Sequence, residues 1–201
     1  QENKRMVIGT TGFDQAGLVA LSLFVSIFFA MLAVLLMIVK LVLGFNDILR
    51  HGLRVEAAGS LWILIPIMTI LGITYVRLSH GVNHHFSDSG EPINYFLLIS
   101  ALLSIQIIFG LIGYAVMKKL GYFRDYVQGD KAGAPSFALI CPGVALFVFG
   151  MFFVHLGLVA TQIMPIFSPI YFLILLPFLL IQAKTIQVFF GLNKRVLQRG
   201  G

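Results

Sequence analysis

Apolar residues along this chain gather into five long runs, at about 15–44, 59–79, 93–117, 136–161 and 166–190, separated by short polar stretches. A helix that crosses a bilayer needs roughly 20 mostly apolar residues, so each run is long enough to do so. The first, "GLVALSLFVSIFFAMLAVLLMIVKLVLGF", exceeds one bilayer and would tilt or protrude. No run alternates with the two-residue period of a barrel strand. Within lipid, a backbone must satisfy its own polar groups, which long uninterrupted runs do as helices. The pattern predicts an all-α, polytopic integral membrane bundle of five transmembrane helices, with residues 1–201 forming a single transmembrane domain.

Composition agrees. Charged residues make up 11% of the chain and hydrophobic ones 59%, with mean hydropathy +0.97, whereas soluble domains carry about 25% charged residues. The net charge of +6 would suggest nucleic acid if the basic residues formed one patch. Instead they lie between the apolar runs, so topology accounts for them and no nucleic-acid partner is expected. One side receives Lys40, Arg50, Arg54, Lys118, Lys119, Arg124, Lys131, Lys184, Lys194, Arg195 and Arg199; the other receives Lys4, Arg5 and Arg77. The positive-inside bias puts the C-terminus in the cytoplasm and residues 80–92 outside, in the periplasm of a bacterial inner membrane. "QENKRMVIGTTGFDQAG" has neither an initiator Met nor a signal-peptide pattern, so the chain is expected to be a fragment of a longer one with further helices upstream. The single cysteine, Cys141, excludes an internal disulfide framework.

Candidate chemistry begins with "RLSHGVNHHFSDSGEP", which holds His80, His84 and His85 beside Arg77. His155, near the outer end of helix four, should lie at a depth similar to His80. Imidazoles arriving from two helices could hold a b-type haem or a metal through His80 or His84 and His155. Alternatively, the histidines form a wet outer vestibule, with Gly81 ending helix two. Helix three carries Ser100, Ser104 and Gln106; helix five carries Gln182, Gln187 and Lys184, the last close enough to the cytoplasmic end to snorkel. No Asp or Glu lies mid-span, which argues against a proton-coupled pump. Nothing forms a hydrolase triad or a phosphate loop, and an enzyme would need a bound cofactor.

Proline marks particular helices: Pro66 in helix two, Pro142 in helix four, Pro177 in helix five. Proline deletes a backbone bond and kinks a helix, and the carbonyls it frees are tolerated where they face protein or a polar path. Cys141-Pro142-Gly143 puts a thiol at such a break. Gly143 and Gly150 form a small-residue stripe for another helix to approach. Helix four is rich in phenylalanine, and Phe147 or Phe149 could close an apolar pore by dewetting.

Kinked helices two and four, a carboxylate-free core and "SFALICPGVALFVFGMFFVH" together resemble the tellurite-resistance/dicarboxylate transporter superfamily, which includes TehA and the SLAC-type anion channels. The last motif is also similar to the TsoY (seleno)protein branch, in which Cys141 would occupy the position that can carry selenocysteine. The resemblance implies the C-terminal five helices of a ten-helix bundle of hairpins, with inner helices lining an uncharged pore occluded by phenylalanine. Cys141 departs from the aromatic expected before the helix-nine proline.

The expectation is therefore a membrane channel or transporter, or half of one, for a small anion or polar solute. Helices two and four line the pore, with Pro66, Pro142, Cys141, Ser104, Gln106, Phe147 and Phe149 along it. Arg77, His80, His84, His85 and His155 form the outer vestibule. Neither cofactor nor metal is required. The competing expectation is a membrane subunit of an electron-transfer complex, holding haem b or packing as an accessory. Partners beyond the bilayer and the solute would be further copies of the chain or a larger membrane complex.

Overall fold

A computed structural model describes residues 2–53, 55–86, 95–129 and 134–199, with side chains described for 17–53, 55, 57–83, 95–129 and 136–197. Helices dominate: α1 (Glu2–His51), α2 (Leu64–Phe86), α3 (Phe96–Lys119), α4 (Ile140–Phe152) and α5 (Pro169–Arg199), with no strand among the described residues. Five helical stretches are long and apolar enough to cross a membrane: Gly17–His51, Ala57–Asn83, Phe96–Lys119, Ser136–Val159 and Pro169–Leu197. They coincide with the five apolar runs. Two extend beyond prediction. α1 continues to His51, where Gly52 at φ +75° takes the left-handed conformation and donates its N–H to the Ile48 carbonyl at 2.9 Å. α5 runs on to Arg199, so Lys184 lies fifteen residues from its end.

The prolines act differently from simple kinks. Each of α2 and α4 starts two residues before its proline, at Leu64 for Pro66 and at Ile140 for Pro142. The missing proline N–H therefore falls in the first turn, whose donors have no intrahelical acceptor in any case. Upstream of each, the chain winds as a tighter 3₁₀ segment, Val55–Ile63 before α2 and Ala134–Leu139 before α4, and these two segments pack together. Beyond α4 the chain loosens into a π-helical turn, Phe153–Val159. Pro177 alone sits inside an uninterrupted helix.

The chain divides into two compact units. The first comprises residues 1–44 and 73–93. Here Gly81 does not end α2, contrary to expectation: the helix continues to Phe86, and Gly81 is not among the residues with positive φ. A glycine inside a helix costs about 1 kcal/mol against alanine but stops the helix only when it turns left-handed. A Cβ at Gly81 would meet Leu23 of α1 at an ordinary 3.5 Å. The described side chains of this part of α1 leave Leu21, Phe24, Phe28 and Leu35 exposed, and a contiguous apolar surface of that kind calls for lipid or another helix.

The second unit, residues 45–72 and 94–201, holds most of the packed core. α4 and α5 pack through glycine. A Cβ at Gly143 would stand 2.1 Å from Thr185 Oγ1, and one at Gly150 would stand 2.3 Å from Phe178 Cδ1. The predicted small-residue stripe is thus the seat of α5, antiparallel and in matching seven-residue steps. α3 packs against Val55–Ile63 and Phe153–Val159, and the Trp62 indole N–H donates to the Gly110 carbonyl at 3.0 Å. At the basic end, Ala58, Met117, Tyr122, Tyr126 and Leu139 form a buried cluster. In it the Tyr122 and Tyr126 rings stack at 4.9 Å. Burial, and then the neighbouring Tyr126, raise the Tyr122 phenol above its ordinary 10.0.

Candidate functional site

A polar layer crosses the middle of the second unit. Thr69 of α2 is buried, and its hydroxyl donates to its own helix at the Ile65 carbonyl (3.2 Å) and across to the Ala145 carbonyl of α4 (3.1 Å). Thr69 and Ala145 each lie three residues after their proline, so the paired breaks bring equivalent turns of two helices together. α3 completes the layer. A Cβ at Gly72 would meet Leu102 at 3.0 Å, and one at Gly110 would meet Ile65 at 3.8 Å. This register sets Gln106, one turn from both Leu102 and Gly110, level with Thr69. Gln106 is fully buried, and neither its Nε2 nor its Oε1 has a hydrogen-bond partner among the described residues. Burying such a group unpaired costs about 1–3 kcal/mol on mutational evidence. An amide with donor and acceptor both free can pair with a small polar group.

Phe149 closes one side of this layer. It lies one turn beyond Ala145 and is fully buried. A Cβ at Gly72 would stand 2.4 Å from its ring, so only glycine admits the phenyl group against α2. Phe147 is half-buried. Pro66 and Pro142 sit at the 3₁₀-to-α transitions. Cys141 is a free thiol beside Pro142 and is exposed. Ser104 is also exposed and donates to the Ser100 carbonyl at 2.8 Å, while Ser100 Oγ is buried without a partner among the described residues. The serines thus part company: one faces in and the other faces out.

The histidines are distributed over the two units. Arg77 and His80 are exposed, one turn apart on the part of α2 in the first unit. His84 and His85 follow on the same helix, with side chains outside the described residues. All three therefore belong to a helix and not to the loop expected of them. Ser87 and Asp88, which follow in the same polar stretch, lie outside the described residues. His155 belongs to the second unit, in the π-helical turn. Its Nδ1 meets the Met151 carbonyl at 3.0 Å, and its Nε2 meets the Tyr171 hydroxyl at 3.5 Å. Both ring nitrogens are thus engaged, and a haem iron on His155 would have to displace Tyr171 or Met151. No cluster of three metal-ligating side chains occurs among the described residues.

Sequence reasoning passed over Thr69, Gly72 and Ala145. The signal was present: Pro66 and Pro142 are separated by the same 76 residues as the hydrogen-bonded pair Thr69 and Ala145. No family model, curated protein or solved structure matches the chain. The likeness to SLAC-type channels therefore rests on its residues alone.

Proposed function

We propose that this protein is an integral membrane channel or transporter, or half of one, that passes a small anion or polar solute between α2, α3 and α4. The observation that carries the reading is the amide of Gln106, buried without a partner among the described residues and held level with Thr69. In a span with no carboxylate, a neutral donor–acceptor pair offers a desolvated solute hydrogen bonds without fixing its charge. Phe149 interrupts the path when no solute is present, as an apolar constriction does by dewetting. The eleven-to-three distribution of basic residues supports a cytoplasmic C-terminus, in a bacterial inner membrane by the same reasoning. Arg77 and His80, with His84 and His85 after them, then give α2 a basic outer end that raises the local anion concentration.

Proteoliposomes test the reading. Flux of chloride, nitrate, a small dicarboxylate and a neutral polar solute is compared with protein-free vesicles. The proposal expects passage of at least one of the anions. Absence of flux from the complete natural protein, with any co-purifying partners present, would remove it.

A further inference from the structure

A cavity of about 400 Å³ opens in the second unit among α3, α4 and α5, and neither Gln106 nor Thr69 lines it. Its wall is almost wholly apolar, built from residues such as Trp62, Phe123, Ile140, Leu180 and Val188. The volume lies within the range of about 300–1,000 Å³ typical of ligand pockets. The exception in the lining is Lys184, an exposed cation. It is the single charged residue between Pro169 and Asn193 of α5 and stands ten residues before Lys194, about 15 Å along the axis. A lysine so far from the other charges of an apolar helix is a candidate for a functional contact.

Among the described residues, no acid lines the cavity to neutralise it. The Lys184 ammonium donates once, to Gln187 Oε1 at 3.0 Å, which leaves two of its three protons available. A second cation stands close by, since Lys118 lies 6.0 Å over the ring of Tyr114, another wall residue. An apolar chamber with one cation in its wall fits a molecule with a hydrocarbon tail and an anionic head. We propose that this cavity binds an anionic phospholipid, with acyl chain against Ile140, Leu180 and Val188 and phosphate on Lys184. Thr185 fixes one wall: its hydroxyl is satisfied by the Ile181 carbonyl at 2.8 Å and does not compete for the head group.

The inference requires the helices to lie in a bilayer but is independent of any solute path. Native mass spectrometry of the complete detergent-purified protein, titrated with phosphatidylglycerol or phosphatidylethanolamine, tests it. The expected result is retained phosphatidylglycerol with about fivefold preference over phosphatidylethanolamine, lost in Lys184→Gln, which removes the charge and leaves a shorter polar side chain. Val188→Phe, which fills the chamber but leaves the charge, should lower retention of both lipids. If Val188→Phe does not purify as a folded species, Ile140→Phe serves the same purpose. Equal retention of the two lipids by the natural protein, or unchanged phosphatidylglycerol binding in Lys184→Gln, would overturn the proposal. So would displacement of the lipid by inorganic phosphate alone, or cavity filling that changes the oligomeric mass while leaving lipid bound.

Discussion

Gln106→Leu separates a path residue from a packing residue, because the two roles predict opposite signs. The substitution keeps the side-chain volume close, so the repacking cost should stay below about 1.5 kcal/mol. It removes an amide whose two polar atoms are both buried without partners among the described residues. Each unsatisfied group costs about 1–3 kcal/mol, so leucine should stabilise the solute-free protein by about 2 kcal/mol after repacking. The same change deletes the hydrogen bonds offered to a passing solute. A net contribution of about 1.4 kcal/mol for one such bond corresponds to a flux at least about tenfold lower. Stability is read by reversible unfolding in mixed micelles and flux in proteoliposomes. A destabilised variant, or a stabilised one with undiminished flux, would refute the reasoning: the amide would be helix–helix glue in the first case and a bystander in the second.

Other perturbations probe neighbouring parts of the account. Phe149→Ala should raise solute leak while costing about 3–5 kcal/mol, since the ring is fully buried against Gly72; leak equal to the natural protein's would remove Phe149 from the gate. Gly143→Ala should cost about 1–3 kcal/mol by driving a methyl group into Thr185, and adding Thr185→Ala should recover most of it, because the nearest remaining atom is then 3.1 Å away. A neutral Gly143→Ala would show that α4 and α5 are not locked there. The Tyr122 phenol is held above 10.0 by burial and then by Tyr126. Its neutral form thus stabilises the fold fully below pH about 10, and that stability drains away as pH rises from there through the folded value. Thermal unfolding followed from pH about 8 to 11 should show a steeper alkaline fall for the natural protein than for Tyr122→Phe, and parallel curves would contradict it.

The five long apolar helices were legible because sustained apolar runs of about 20 residues or more carry a strong signal in composition alone. Helix ends were less so. Gly81 was read as a stop since glycine often terminates helices, but only the left-handed conformation does so, and Gly52 and Gly121 adopt it while Gly81 does not. The prolines were recognised as breaks, yet their effect depends on where a helix begins. Placed in a first turn, they mark a change from 3₁₀ to α winding. Gln106 was a candidate from its chemistry alone, and its partnerless burial needed three dimensions. Ser100 and Ser104 show the limit of helical periodicity: residues one turn apart straddled the edge of the buried face. Thr69 was invisible singly, since its role comes from a hydrogen bond across 76 residues.

The central claim is that small polar species can reach a side chain which the surrounding helices otherwise bury. Thiol accessibility measures this directly: in a Cys141→Ala background, Gln106→Cys is exposed to a small charged methanethiosulfonate reagent in proteoliposomes, with Ile99→Cys, equally buried on the same helix, as reference. The account predicts modification at position 106 far faster than at 99, slowed by transported solute. Equal, negligible modification at both positions would contradict it.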